Sequence, residues 1–345
     1  MPPYDVHQAF IAFGRSLLDG DPRRQSLFDR MVDRAEIDHR YSYLCPPGCI
    51  ADKGGIIATD FYMRKSFPST GARMKLFEEQ APLLAQRAID RLDIGAERSR
   101  LTHIVITCCT GFSAPGLDLE IMERCGLPGS MERSIVGFMG CYAAINGLKL
   151  ARHIVRSEPK AHVLVLNLEL CSLHLKETSN LDEILSFLIF ADGCAASIVS
   201  AEPVGLAIDS FRAVLVPGTR EHITWNIGDN GFDMFLSGQV PGTIQEALKG
   251  SVGEILNGAA ISEIDLWAVH PGGRSVLDAV ERALALQPSA LAPSRRVLRA
   301  FGNMSSGTVM FVLQQMMRAS AGTRGCAMSF GPGLVAETML FHGTG

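Results

Sequence analysis

The sequence predicts an α/β protein built as two similar halves packed in layers. Three observations predict it. Apolar, strand-like runs alternate with helical ones, the signature of α/β layering. Two long segments repeat the same order of elements, which points to a duplicated unit. No low-complexity stretch or long linker interrupts the 345 residues.

Residues 1–95 read as mostly helical, with "RMKLFEEQAPLLAQRAIDRL" (73–92) the clearest amphipathic helix. The repeat begins next. "RLTHIVITCCTG" (100–111) reads as a buried strand running into a loop, and "EIDLWAVHPGG" (263–273) echoes it. Helices follow each, in "GLDLEIMERCG" and "SVLDAVERALAL". "GFMGCYAAINGLKLARHIV" (137–155) then turns from an apolar run into a small-residue helix, as does "AFGNMSSGTVMFVLQQMMRA" (300–319). Strands close each unit: "AHVLVLNLEL" (161–170) with "GCAASIVSA" (193–201), and "GCAMSFGPGLVAETMLFH" (325–342). The seam falls near 200–210, so the expected halves are 1–205 and 206–345.

Composition narrows the function classes. The formal net charge is −4, which asks for neither nucleic acid nor an anionic membrane surface. No apolar run approaches the ~18 residues of a membrane span. The nine cysteines are an odd number, and "MPPYDVHQAF" lacks the features of a secretory signal. Both indicate free thiols in a reducing, cytoplasmic compartment. "CPPGC" (Cys45, Cys49) has no second ligand pair at zinc-site spacing and reads as a proline-glycine turn, so no metal is expected. Neither a P-loop nor a post-strand G-x-G-x-x-G occurs.

Three residues occupy matching loop ends of the repeat. Cys141 opens a helix, where the dipole favours a nucleophilic thiolate. His270 stands where the strand "DLWAV" meets a glycine turn, and Asn303 precedes the equivalent helix of the second half. Taken singly, the cysteine fits as a small buried hydrophobe, the histidine as a strand cap and the asparagine as a helix N-cap. Loop ends at one edge of layered α/β sheets converge on a crevice, and there the three form a chemical set. The thiol is the nucleophile, the imidazole shares its proton, and the histidine and asparagine hold a developing oxyanion.

On "GFMGCYAA", "WAVHPGG", "FGNMSSGTV" and "SFGPGL" (329–334), the chain resembles the type III polyketide synthases, chalcone-synthase-like ketosynthases of bacterial type. The likeness runs collinearly from about residue 25 to 341. It implies a thiolase-like fold: two pseudo-repeated βαβαβαββ halves in an α/β/α/β/α arrangement. It also implies a homodimer that acts on coenzyme A thioesters and needs no cofactor, with malonyl-CoA and a starter acyl-CoA as substrates. By this resemblance Cys141, as a thiolate paired with His270, carries the acyl chain, and His270 with Asn303 stabilises the enolate of decarboxylated malonyl-CoA. Phe190 matches a gatekeeper, and Met234 the second gatekeeper. Cys109, Thr110, Cys171, Leu173, His174 and Ser305 match cavity-wall positions, and Glu169 a buried glutamate. Arg34, Arg40 and Gly273 fall where coenzyme A binds.

Plant chalcone synthases carry threonines at the places of Cys109 and Cys171. Aldol ring closure in those relatives is linked to a water near the positions of Ser305, Glu169 and Cys109. A thiol holds water poorly, so Claisen or lactone release is expected here instead. A ketoacyl-carrier-protein synthase III shares the three residues, and a non-catalytic partner subunit shares the fold. A cysteine hydrolase fits less well, because the surroundings of the site are apolar.

Overall fold

A computed structural model describes residues 2, 4–44 and 61–345. Cys45 and Cys49, expected to flank a turn, lie outside the described residues. The chain opens with strand β1 (Tyr4–Asp5), helices α1 (His7–Ser16) and α2 (Pro22–Ala35), strand β2 (Tyr41–Ser42) and the long helix α3 (Thr70–Arg91). Asp21 caps α2 by accepting from the Arg24 amide, and Ser69 caps α3 by accepting from the Ala72 amide. One face of α3 buries Leu76, Phe77, Ala81, Leu84 and Ile89, a stripe at helical spacing.

The first sheet holds β3 (His103–Cys108), β4 (Glu132–Gly137), β5 (Val163–Leu170) and β6 (Asp192–Val199) in the order β4-β3-β5-β6. β3 lies parallel to β4 and β5, and β6 is antiparallel to β5. Every residue of β3 and β5 is buried, as expected for central strands covered on both faces. Helices α4 (Leu117–Arg124), α5 (Ala143–Ser157) and α6 (Leu181–Ile189) connect these strands.

The second sheet takes β7 (Leu206–Leu215), then β10 (Leu266–Val269), β11 (Arg324–Gly331) and β12 (Val335–Gly343), in the order β10-β11-β12-β7. Between β7 and β10 come a separate hairpin, β8 (Ile223–Gly228) with β9 (Gly231–Leu236), and helix α7 (Val240–Ile255). Helices α8 (Arg274–Ala283), α9 (Ala292–Phe301) and α10 (Thr308–Gln314) follow β10. α5 packs on β3, β5 and β12, and α10 on β6, β10 and β11, so these two helices lie between the sheets. α3 covers the outer face of the first sheet, while α7 and α8 pack together on the far side. Among the described residues no helix is long and apolar enough to cross a membrane.

The halves match in three strands: β3 with β10, β5 with β11 and β6 with β12. In each, two parallel strands are followed by an antiparallel return. Their edges differ. The first half reaches its small-residue helix through strand β4, but the second reaches α10 through helix α9. "APSRRVLRAF" has proline in its first turn and buries Val297 and Leu298 while its arginines face outward, so it folds as a helix.

The parallel strands deliver their C-terminal ends to one place: Cys109 after β3, Cys171 after β5, His270 after β10 and Pro332 after β11. At that junction Gly140 sits at φ +66°, and a Cβ on it would lie 2.3 Å from Pro332 Cδ. Gly140→Ala therefore combines backbone strain with a clash across the seam. It should lower stability by about 1–3 kcal/mol. Denaturant unfolding checks this, and an unchanged midpoint would contradict it.

Candidate active site

The turn before α5 shapes the site first. Phe138 at φ +54° and Gly140 swing the chain into a short 3-10 turn, Gly140–Tyr142, that holds Cys141 just ahead of the helix. Gly140 N–H donates to Cys109 Sγ at 3.0 Å, and Tyr142 Oη donates to the Pro332 carbonyl at 3.2 Å. Among the described cysteines Cys141 alone is not fully buried.

Cys141, His270 and Asn303 all line one cavity of about 710 Å³, large enough for a sizeable ligand. The amide of Asn303 is fixed on both sides. Its Oδ1 accepts from Ser305 N–H at 2.8 Å, and its Nδ2 donates to the Gly272 carbonyl at 3.2 Å. That leaves the second Nδ2 hydrogen for the cavity. The His270 backbone amide donates to the Met328 carbonyl at 2.7 Å, but neither ring nitrogen has a partner among the described residues. Ser305, at φ +48°, brings its hydroxyl to 4.0 Å from Cys141 Sγ.

Electrostatics correct one expectation. Helix placement does not leave a standing thiolate, because burial pushes the Cys141 thiol up to about 12 against the smaller opposing effect of Ser305 and Asn303. Burial likewise pulls His270 down to about 3. Alone, each group is held neutral by burial. Cys108, Cys194 and Cys326 are also pushed to about 12, so accessibility rather than acidity sets Cys141 apart.

A second, inner cavity of about 30 Å³ lies behind the first. Cys109, Thr110, Cys171 and Ser305 line it, as expected for wall residues. Phe190, Met234, Ile223 and Cys141 line both cavities, so the two residues expected to be gatekeepers lie on the wall that the cavities share. Arg34 and Gly273 line the outer cavity.

Four expected residues sit elsewhere. Arg40 is 2% exposed and points into the protein, where it reaches His7 and two backbone carbonyls, so it is not available to coenzyme A. Leu173 packs in the core of the first half. His174 is buried behind the wall: Nε2 donates to the Thr110 carbonyl at 2.8 Å, Nδ1 accepts from the Phe232 amide at 3.0 Å, and the ring stacks on Phe232. Burial pulls it down to about 3 and keeps it neutral for these two roles.

Glu169 is also behind the wall. It accepts from the Cys109 amide and Thr110 Oγ1, both at 3.0 Å, and from Ser306 Oγ at 2.7 Å. Its hydroxyl partner in the second half is Ser306.

Sequence reasoning missed Phe187, Ile223, Trp225 and Pro332 on the inner wall and Arg274 on the outer one. Trp225 Nε1 donates to the Cys109 carbonyl at 2.8 Å. The period-2 alternation Ile223-Trp225 and the i, i+3 pair Phe187-Phe190 were signals for three of these positions.

Models of the chalcone and stilbene synthases match the chain from end to end, the N-terminal domain over residues 10–203 and the C-terminal domain over 208–345. The chain belongs to the chalcone and stilbene synthase family. It is a type III polyketide synthase, an enzyme that transfers acyl groups. A curated relative, the alpha-pyrone synthesis polyketide synthase-like Pks18 of Mycobacterium tuberculosis, is 38% identical over 286 residues, covering 78% of this chain and 72% of that protein. The same protein of Mycobacterium bovis matches equally.

Two solved structures share the thiolase-like fold. PKS-I from the brown alga Ectocarpus siliculosus superposes with a TM-score of 0.88 at 30% identity, over 99% of this chain and 95% of that one. The C-terminal type III polyketide synthase domain of Steely1 from Dictyostelium superposes with a TM-score of 0.88 at 25% identity, over 100% and 97%.

The buried Glu169 gives a pH test. Burial raises its carboxyl to about 7 from the ordinary 4.5, so folding favours the protonated form. Its stabilising contribution is complete below pH 4.5 and is lost as pH rises through 7, on the order of 3 kcal/mol by linkage. Asp192, raised to about 6, acts with the same sign, so the variant comparison is needed to isolate Glu169. Glu169→Gln should hold its stability better than wild type between pH 5 and 8. Urea midpoints across that range measure it, and parallel curves would contradict the assignment.

Proposed function

We propose that Cys141 takes the starter acyl group and that His270 and Asn303 serve the condensation. Their joint lining of one cavity carries this reading. Starter acyl-CoA enters the outer cavity, with Arg34 and Gly273 near its phosphate and pantetheine portions. The Cys141 proton passes to His270, the thiolate attacks the thioester carbonyl, and coenzyme A leaves as the thiol after taking that proton. Malonyl-CoA then occupies the same cavity. Loss of CO2 leaves an enolate whose oxygen meets Asn303 Nδ2–H and the unpartnered His270 ring. The enolate carbon attacks the Cys141 thioester, expels the thiolate and yields an acyl-CoA two carbons longer, which returns to Cys141 for the next round.

No metal or prosthetic group takes part, since CO2 loss itself creates the carbanion. The working unit is a cytoplasmic homodimer, each chain made of halves 1–205 and 206–345.

Release is by lactone formation: an enol oxygen attacks the terminal thioester carbonyl and expels the thiol. Three observations support this mode over aldol closure. Cys109 Sγ is engaged by Gly140 N–H, Glu169 accepts three hydrogen bonds behind the wall, and the wall is rich in sulfur and apolar groups that offer a water few partners. The Mycobacterium relative, an alpha-pyrone synthesis polyketide synthase-like protein, agrees with this mode.

Asn303→Ala should separate the half-reactions. Loading of Cys141 survives, while malonyl-CoA decarboxylation and extension to a pyrone fall about 10²–10³-fold. Mass analysis of protein and products checks both. Near-wild-type decarboxylation with collapsed loading would contradict the roles given.

A further inference from the structure

Arg40 lies outside the cavities, yet it touches the elements that shape the wall they share. Helix α6 ends at Ile189 and carries no basic residue in its last turn, so its final carbonyls need a donor from elsewhere. Arg40 supplies it. Its Nη1 donates to the Phe187 carbonyl at 2.7 Å and to the Phe190 carbonyl at 3.1 Å. Both residues place an aromatic ring on the inner cavity wall.

The guanidinium is itself held in place. Nε donates to His7 Nδ1 at 2.9 Å, and the group lies 5.3 Å from the centroid of the Phe10 ring. Asp192, two residues past Phe190, is anchored by the Ser172 amide and by the hydroxyls of Ser42 and Ser172; burial pulls the Arg40 guanidinium down to about 9, and the charges of Asp5 and then Asp192 oppose that.

The same arginine touches the second half. Gly302 sits at φ +68°, and a Cβ there would lie 2.9 Å from Arg40 Cγ, so the arginine stem packs directly against the residue before Asn303. Asn303 N–H donates to the Ile189 carbonyl at 2.8 Å, and Ala191 N–H donates to the Asn303 carbonyl at 2.9 Å, a bridge that pairs Asn303 with Phe190. A single buried fork thus braces the chain on which Phe190 and Asn303 are paired.

We propose that Arg40 is a positioning residue that sets the rotamer and backbone of the Phe190 gate, and through it the size of starter the enzyme accepts. The inference rests on the reading of Cys141 as the acylated residue. Lysine cannot reproduce the clamp, because it lacks the planar fork that serves His7 and two carbonyls at once.

The test is starter selectivity, taken as the ratio of kcat/KM for a ten-carbon acyl-CoA to that for acetyl-CoA, together with acyl loading by mass. Arg40→Met should raise this ratio about tenfold as the gate relaxes, the scale of one lost charge-assisted hydrogen bond, and Arg40→Lys should recover part of the change. In a Phe190→Ala background Arg40→Met should add no further shift, since the arginine acts through that ring. A ratio within twofold of wild type, or an equal shift without the Phe190 ring, overturns the proposal even if the variant is less stable. Should Arg40→Met fail to fold, His7→Ala removes only the Nε partner and should move the ratio the same way by less; an unmoved ratio again overturns it. Absence of loading in wild type would instead sink the reading of Cys141, and this inference with it.

Discussion

Gly140 and Pro332 meet at the seam with no room for a side chain between them, and the active site depends on that contact. Gly140 opens the turn that carries Cys141, and Pro332 follows β11 of the other half. Because the parallel strands of both sheets point their C-terminal ends at this junction, residues far apart in sequence meet there. Cys141 from the first half thus shares a cavity with His270 and Asn303 from the second. Gly140 N–H on Cys109 Sγ and the pairing of Phe190 with Asn303 fix the same junction from other directions. The duplicated architecture is a way of aiming two sets of loop ends at one point.

Burial governs the chemistry at that point. It holds Cys141 protonated and His270 neutral when each is considered alone, and it raises Glu169 as well. Burial of the reacting groups suits the proposed reaction, whose carbanion must meet a thioester before it meets water. In the proposed chemistry reactivity comes from transfer of a proton within the cavity rather than from a standing charge. His174 and Glu169 support this arrangement from behind. One ties the Thr110 loop to the β8–β9 hairpin, and the other ties the ends of β3 and β5 to Ser306.

The repeat, the alternation of strands and helices within it and the cavity lining of Cys141, His270 and Asn303 were legible because each rests on a local pattern, a buried run followed by a glycine-containing turn. The Phe190 and Met234 positions were legible through family motifs. What failed to show was set by contacts across long sequence distances. Arg40 looks like a surface cation in "DHRYSYL", and only its partners near residues 187–190 make it a buried clamp. Ser305 and Ser306 are neighbours, yet backbone geometry at Ser305 sends one hydroxyl to the nucleophile and leaves the other for Glu169. The helical α9 was hidden because its apolar residues read as a continuation of the run before Asn303. The direction of the Cys141 shift was also out of reach, since the dipole is visible in sequence and the depth of burial is not.

The central claim is that cavity access and an imidazole partner, rather than intrinsic acidity, single out one thiol among several similar ones. Brief incubation with an acyl-CoA followed by peptide mass mapping tests it most directly. The account predicts one acyl group, on Cys141, with loading abolished in Cys141→Ala and sharply slowed in His270→Gln. An acyl group on Cys109 or Cys171, with Cys141→Ala still active, would contradict it.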